Sequence, residues 1–200
     1  MKIGVFGGTF DPIHLGHLIV AEEVRVKLGL AKMLFVPAGK PWLKADRAIA
    51  LVTHRLEMIS LAIVDNPHFK ISTIEANRSG PSYTIDTIDA LKQQLGTKVR
   101  LFFLLGSDAL SDLKKWKEPS RLVQECQLVT FMRPSSAVPS YKSLESAIPG
   151  ISRHITFVDV SQIDISATQI RDRISKREPL TGLVPAAVER YILEHGLYNK

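Results

Sequence analysis

The chain has 200 residues, 45% hydrophobic and 23% charged, with 26 basic against 20 acidic side chains and a net charge of +6. Those proportions exclude a disordered chain, a collagen and a stapled mini-protein, and they predict one domain spanning 1–200 that buries ~70% of its unfolded surface. The longest apolar runs, such as Val99 to Leu105 with Arg100 inside, fall far short of the ~18 residues of a membrane span. Met1 to Gly8 lacks the apolar core and cleavage site of an export signal, so a cytoplasmic protein with no membrane partner is expected.

Lys2 to Phe6 reads as a strand, and Leu15 to Leu28 as a helix closed by Gly29. Lys32 to Val36 is a second strand ended by Pro37, Ala50 to Val64 is helical in pattern, and Phe69 to Ile74 is a short β-branched strand. In Thr84 to Leu95 the apolar positions Ile85, Ile88, Leu91 and Leu95 recur every three or four residues, with Gly96 as the stop. Arg100 to Leu105 is nearly all apolar, as expected of a strand covered on both faces. Leu128 to Met132 is a further strand, Ser135 to Ser146 an exposed loop with a short helix, and Ile155 to Val158 the last strand. Two helices close the chain, at about Ala167 to Ser175 and Pro185 to His195. Alternating strands and helices predict an α/β fold, a doubly wound parallel sheet, whose ligands sit beyond the carboxyl ends of the strands.

The residues after each strand are therefore the candidates. Strand one is followed by Gly7-Gly8-Thr9-Phe10-Asp11-Pro12, where paired glycines suit a sharp turn and close approach of phosphate to amides. His14 and His17 then share one side of the helix start, and Gly16 between them leaves that turn bare for a base or ribose. Neither a dinucleotide fingerprint nor a P-loop is present, and a glycine turn with two surface histidines stays open as the plain alternative. Lys40 and Lys44 after strand two suit a polyphosphate, or are isolated surface lysines. Asp108, after Gly106-Ser107, suits ribose hydroxyls, though Asp108 or Ser107 also suits a helix cap. Trp116 among three lysines is a stacking face or a half-buried aromatic.

Ser166 has capping-box spacing to Gln169, and the same helix start forms an anion site with Thr168 and Arg171 nearby. Cys126, the one cysteine, reads as a buried bystander. The basic residues are dispersed, which suits a small phosphorylated ligand, and no basic arm or zinc-finger spacing speaks for nucleic acid.

Taken together, His14-Leu15-Gly16-His17 after Gly8-Thr9-Phe10-Asp11-Pro12, and Ile165-Ser166-Ala167-Thr168-Gln169-Ile170-Arg171, resemble the two signatures of the nucleotidyltransferase superfamily with the T/H-x-G-H motif. Gly80 to Thr87, Gly106 to Leu110 with Trp116, and Leu183 to Tyr198 are similar to the bacterial nicotinate-nucleotide adenylyltransferases over nearly the whole chain. Two positions depart from that pattern: P-P-H-K reads Pro41-Trp42-Leu43-Lys44, and the second serine of I-S-S-T is Ala167.

The resemblance implies ATP and nicotinate mononucleotide as partners, deamido-NAD and pyrophosphate as products, and Mg²⁺ held by phosphates and water without a protein cage. It implies catalytic roles for His14, His17, Lys44 and Arg171. It places ATP on Gly7, Gly8, Thr9, Phe10, Gly16, Lys40, Gly106, Asp108, Ser166 and Thr168. The acceptor falls to Ser82, Tyr83, Thr84, Trp116 and Arg133, and residues 166–200 complete the ATP site. A sibling transferase using the amide mononucleotide or another phosphorylated acceptor, and a non-catalytic nucleotide-binding regulator, are the alternatives. Homo-oligomer formation is left open.

Overall fold

A computed structural model describes residues 1–41, 48–96, 98–131, 141–161 and 163–199. Six strands form one sheet: β1 (Lys2–Gly8), β2 (Lys32–Pro37), β3 (Phe69–Ile71), β4 (Arg100–Gly106), β5 (Gln127–Phe131) and β6 (Ile155–Val158). Their order is β3-β2-β1-β4-β5-β6 and every pairing is parallel. The order reverses between β1 and β4, so the crevice beyond their carboxyl ends is where a doubly wound sheet takes its ligand.

The helices are α1 (Leu15–Leu28), α2 (Val52–Ile63), α3 (Thr84–Leu95), α4 (Ser107–Ser111), α5 (Pro119–Glu125), α6 (Tyr141–Ala147), α7 (Ala167–Ser175) and α8 (Ala186–Glu194). Residue alternation along the strands sorts the core into two layers. On β4, Leu101, Phe103 and Leu105 pack with Ile85, Ile88 and Leu91 of α3. Phe102 and Leu104 join the opposite layer, which includes Val20 and Val24 of α1, Met58 and Ile59 of α2, Ile170 of α7 and Val188 of α8. Each such side chain contributes ~1.5–3 kcal/mol by burial. The last two helices thus share a core with the first strand.

Most elements fall where periodicity predicts. Gly29 closes α1 in the left-handed conformation, φ 61°. Strand three is the shorter exception, ending at Ile71 rather than Ile74. It is an edge strand, paired to β2 only over Met33 to Phe35, because the next β2 residue on that side is Pro37, which has no N–H to carry the ladder on. The expected loop and helix over 135–146 shows its helix at α6, and residues 132–140 lie outside the described residues.

Candidate functional site

A cavity of about 600 Å³ lies over the carboxyl ends of β1 and β4. The starts of α1, α3, α4 and α7 border it through His14 and His17, Tyr83 and Thr84, Gly106 and Asp108, and Ser166 and Thr168. The first N–H groups of a helix have no partner within it, and its dipole is positive there. Among the described residues no side chain caps α3 or α4. Four helix starts that converge on one cavity suit an anion, although Leu15 N–H of α1 and Gln169 N–H of α7 already have partners.

The first wall is the loop after β1. Gly7 and Gly8 remain in the strand with ordinary φ, and the turn expected at them is made by Phe10 instead, at φ 50°. The glycines are needed for packing, since a Cβ on Gly7 would lie 3.1 Å from the Phe103 ring and one on Gly8 3.0 Å from that of Phe10. Turned this way, the Phe10 ring is buried and meets His17 edge-on at 5.0 Å. His14 and His17 stack at 3.6 Å and 26°. The His14 main-chain N–H donates to His17 Nδ1 at 3.3 Å. A ring nitrogen that accepts carries no proton, so the neutral His17 ring keeps its proton on Nε2, where it is a donor. Gly16 is not bare: it is buried, and a Cβ there would lie 3.1 Å from His14 Nδ1 and 3.5 Å from Ile163. Its lack of a side chain makes room for the His14 ring, and it does not border the cavity.

The loop is held from behind. Arg171 of α7 donates to the Asp11 carbonyl at 2.7 Å and to Thr168 Oγ1 at 3.2 Å, and borders the cavity. Ser166 caps α7 as its spacing predicts, accepting from Gln169 N–H at 3.1 Å. Arg55 of α2, 1% exposed, donates to the Thr9 and Ala50 carbonyls at 2.8 and 3.0 Å. Burial lowers the pKa of Arg55, while the Asp11 carboxylate and Tyr198 oppose that. Asp11 Oδ1 accepts from Ala50 N–H at 3.2 Å and Tyr198 O–H at 2.7 Å. Sequence reasoning did not single out this group. One local signal existed: Arg55 stands on the same helical stripe as Met58, Ile59 and Ile63.

The second wall runs from the end of β2 to the start of α3. Ser82 Oγ accepts from Gly39 and Lys40 N–H at 3.0 and 3.3 Å and hydrogen-bonds Glu75. Thr87 donates to Glu75 Oε1 at 2.7 Å and accepts from Arg78 at 3.1 Å. Burial pushes the Glu75 carboxyl above its ordinary pKa, against these hydrogen bonds and Arg78. Gly39 has to be glycine, because a Cβ would lie 2.2 Å from the Glu75 carbonyl oxygen. Glu75 and Gly39 were also missed, since neither carries a local signal. Trp116 is half-buried, edge-on to Phe103 at 6.0 Å, and its indole N–H has no hydrogen-bond partner among the described residues. Lys117 sits 5.1 Å from the Tyr83 ring and pairs with Asp86 at 2.8 Å.

Of the other candidates, Asp108 is exposed on the cavity rim in the first turn of α4, whose N-cap is Gly106, so neither Asp108 nor Ser107 is that cap. Lys40 is exposed and is not among the described residues that border the cavity. Lys44, with Trp42 and Leu43, and Arg133 lie outside the described residues. Cys126 is buried, its thiol pushed up to about 12 by burial, which leaves no thiolate to act as a nucleophile.

Residues 5–173 match the cytidylyltransferase-like family. The chain belongs to that family. Among its relatives is a protein of Dehalococcoides mccartyi strain 195 named a probable nicotinate-nucleotide adenylyltransferase, 43% identical over 200 residues that cover 100% of this chain and 98% of the relative. A Bacillus pumilus protein of the same name is 43% identical over 198 residues, 99% of this chain and 98% of its own. In fold, the chain is similar to the Plasmodium falciparum nicotinic acid mononucleotide adenylyltransferase complexed with NaAD, with a TM-score of 0.80 at 20% identity, covering 98% of this chain and 97% of the other. Family membership and the parallel sheet agree on a nucleotidyltransferase architecture.

Proposed function

We propose that the chain transfers AMP from ATP to nicotinate mononucleotide, giving deamido-NAD and pyrophosphate in the cytoplasm. The observation that carries this reading is the convergence of a stacked histidine pair, an arginine and several helix starts on one cavity, in a chain whose full-length relatives carry that name.

The acceptor's 5′-phosphate oxygen attacks the α-phosphorus of ATP, a P–O bond forms, and the bond to the β-phosphate's bridging oxygen breaks, releasing pyrophosphate. The attacking phosphate is already largely ionised near neutral pH, so no general base is needed. The protein's task is positioning and charge stabilisation. In this reading His17 Nε2–H and the His14 ring donate to phosphate oxygens of ATP, and the amides after Gly7 and Gly8, through Thr9 and Phe10, line the path of the triphosphate. Ser166, Thr168 and Arg171 hold its β- and γ-phosphates, with Lys44 meeting the leaving group. Gly106 and Asp108 take the adenosine ribose. The end of the chain, 166–200, completes this half of the site.

The acceptor lies on the other wall. The first N–H groups of α3, which have no partner within the helix, suit the ring carboxylate of nicotinate beside Tyr83 and Thr84, and a neutral carboxamide gains less there. Ser82 supports that turn and Trp116 offers an aromatic edge, and the family resemblance assigns Arg133 to the same substrate. A divalent ion, Mg²⁺, fits as a companion of the triphosphate held by phosphate oxygens and water. The exposed Asp108 carboxylate on the cavity rim could accept hydrogen bonds from its water shell. The ion supplies neutralisation of phosphate charge.

Comparing kcat/KM for nicotinate and nicotinamide mononucleotide with ATP tests the acceptor. The acid is expected to win by roughly 10-fold or more, the value of one charge-assisted contact. Equal values contradict the assignment of the α3 start.

A further inference from the structure

The end of the chain closes on its first loop. Tyr198 O–H reaches Asp11 Oδ1 at 2.7 Å across 187 positions of sequence. Tyr198 does so from φ 65°, a left-handed backbone that a tyrosine rarely keeps without being held. The carboxylate it meets is 5% exposed and sits among two guanidinium groups, those of Arg55 and Arg171. Each of these grips main chain of the same loop: Arg55 the Thr9 carbonyl, Arg171 the Asp11 carbonyl. With the carbonyls of Thr9 and Asp11 both engaged from behind, the plane of the peptides between them is set.

We propose that Tyr198 is a positioning residue of the triphosphate half of the cavity, acting through Asp11 on the Thr9–Asp11 main chain and on the Arg171 guanidinium. The proposal rests on the reading of this half as the ATP side. Without the hydroxyl, Asp11 loses one of the two donors to its carboxylate among the described residues while two arginines remain beside it. Arg171 then gains by swinging from the carbonyl to the carboxylate, away from the cavity. The opposite wall, tied by Glu75, Ser82 and Thr87, shares none of these bonds. The effect is therefore one-sided.

The test is Tyr198→Phe in the full chain, which keeps the ring's packing against the core. Binding of α,β-methylene-ATP with Mg²⁺ is measured by calorimetry, alongside both KM values and the melting temperature. Expected is an analogue affinity and an ATP affinity each weaker by about 5- to 20-fold, with the KM for nicotinate mononucleotide changed by less than about twofold. Tyr191→Phe is the control: it removes a 2.9 Å contact between α8 and His54 of α2 that does not involve Asp11, and leaves analogue affinity unchanged. The second test places Tyr198→Phe in an Asp11→Asn background, whose neutral amide no longer draws Arg171: there the hydroxyl's loss is expected to change analogue affinity by less than about twofold, and a loss as large as in the unmodified background overturns the proposal. Analogue affinity untouched in Tyr198→Phe, or equal losses for both substrates that track a lower melting temperature, overturns the proposal alone. Failure of the unmodified chain to bind the analogue overturns the functional reading, and the proposal falls with it.

Discussion

The two walls of the cavity are built in different ways. The loop after β1 is held by residues 46, 160 and 187 positions away: Arg55, Arg171 and Tyr198. The wall at the start of α3 is held by nearer partners, 12 positions apart for Thr87 and Glu75 and 43 for Gly39 and Ser82. One wall exists only when the last helices have docked. The other is closer to a local strand–loop–helix unit, tied by a buried carboxyl. A lesion should therefore reveal which wall it sits on by which substrate it disturbs.

The largest effect is expected on the first wall. His17→Ala removes the Nε2 donor and should lower kcat by roughly 100- to 1,000-fold, the usual cost of a donor aimed at developing charge. His17 is only partly buried, so the melting temperature should stay close to that of the unmodified chain, and near-normal turnover would remove His17 from the chemistry. Arg171→Ala should cost about 10- to 100-fold in kcat/KM for ATP. Steady-state kinetics with each substrate varied in turn should leave the acceptor KM nearly unchanged, and a matching rise in both KM values would erase the distinction between the walls.

Gly39→Ala attacks the second wall, because a Cβ there meets the Glu75 carbonyl. Chemical denaturation should show a loss of about 1–3 kcal/mol, with the acceptor KM raised more than that for ATP. The smallest effect concerns pH. The folded-state pKa of Glu75 is raised by burial above its ordinary 4.5. The folded chain thus holds the Glu75 proton more tightly than the unfolded one. Its contribution is fully present below about pH 4.5 and is lost as pH rises through the raised value. Glu75→Gln does not titrate, so its melting temperature relative to the unmodified chain should climb as pH rises from about 4.5 through the raised value. A gap that stays constant would mean that the folded Glu75 titrates normally.

The difference between the walls also explains what was legible in the sequence. Apolar spacing and Gly or Pro stops mark strands and helices because both act over a few residues, which is why Leu15–Leu28 and Thr84–Leu95 fall where expected. The histidine pair and the Ser166 cap are legible for the same reason, being contacts three residues apart. Asp11 and Tyr198 each look unremarkable in their own surroundings, and only the fold brings them together. Phe10 rather than Gly7 or Gly8 makes the turn because ring packing on both glycines uses up the space their missing side chains leave. Arg55 was visible as a charge on an apolar stripe, a pattern that asks for a buried acceptor. Strand three ran short because Pro37 on its partner strand has no N–H to offer it, which propensity at Ile74 does not register.

In the proposed function, the cavity over β1 and β4 exchanges pyrophosphate for a mononucleotide on the α-phosphorus of ATP. The direct measurement is product stoichiometry with ATP, Mg²⁺ and nicotinate mononucleotide. Equal amounts of pyrophosphate and deamido-NAD, with neither formed when the acceptor is omitted, are predicted. ATP bound without turnover, or pyrophosphate released without deamido-NAD, would contradict it.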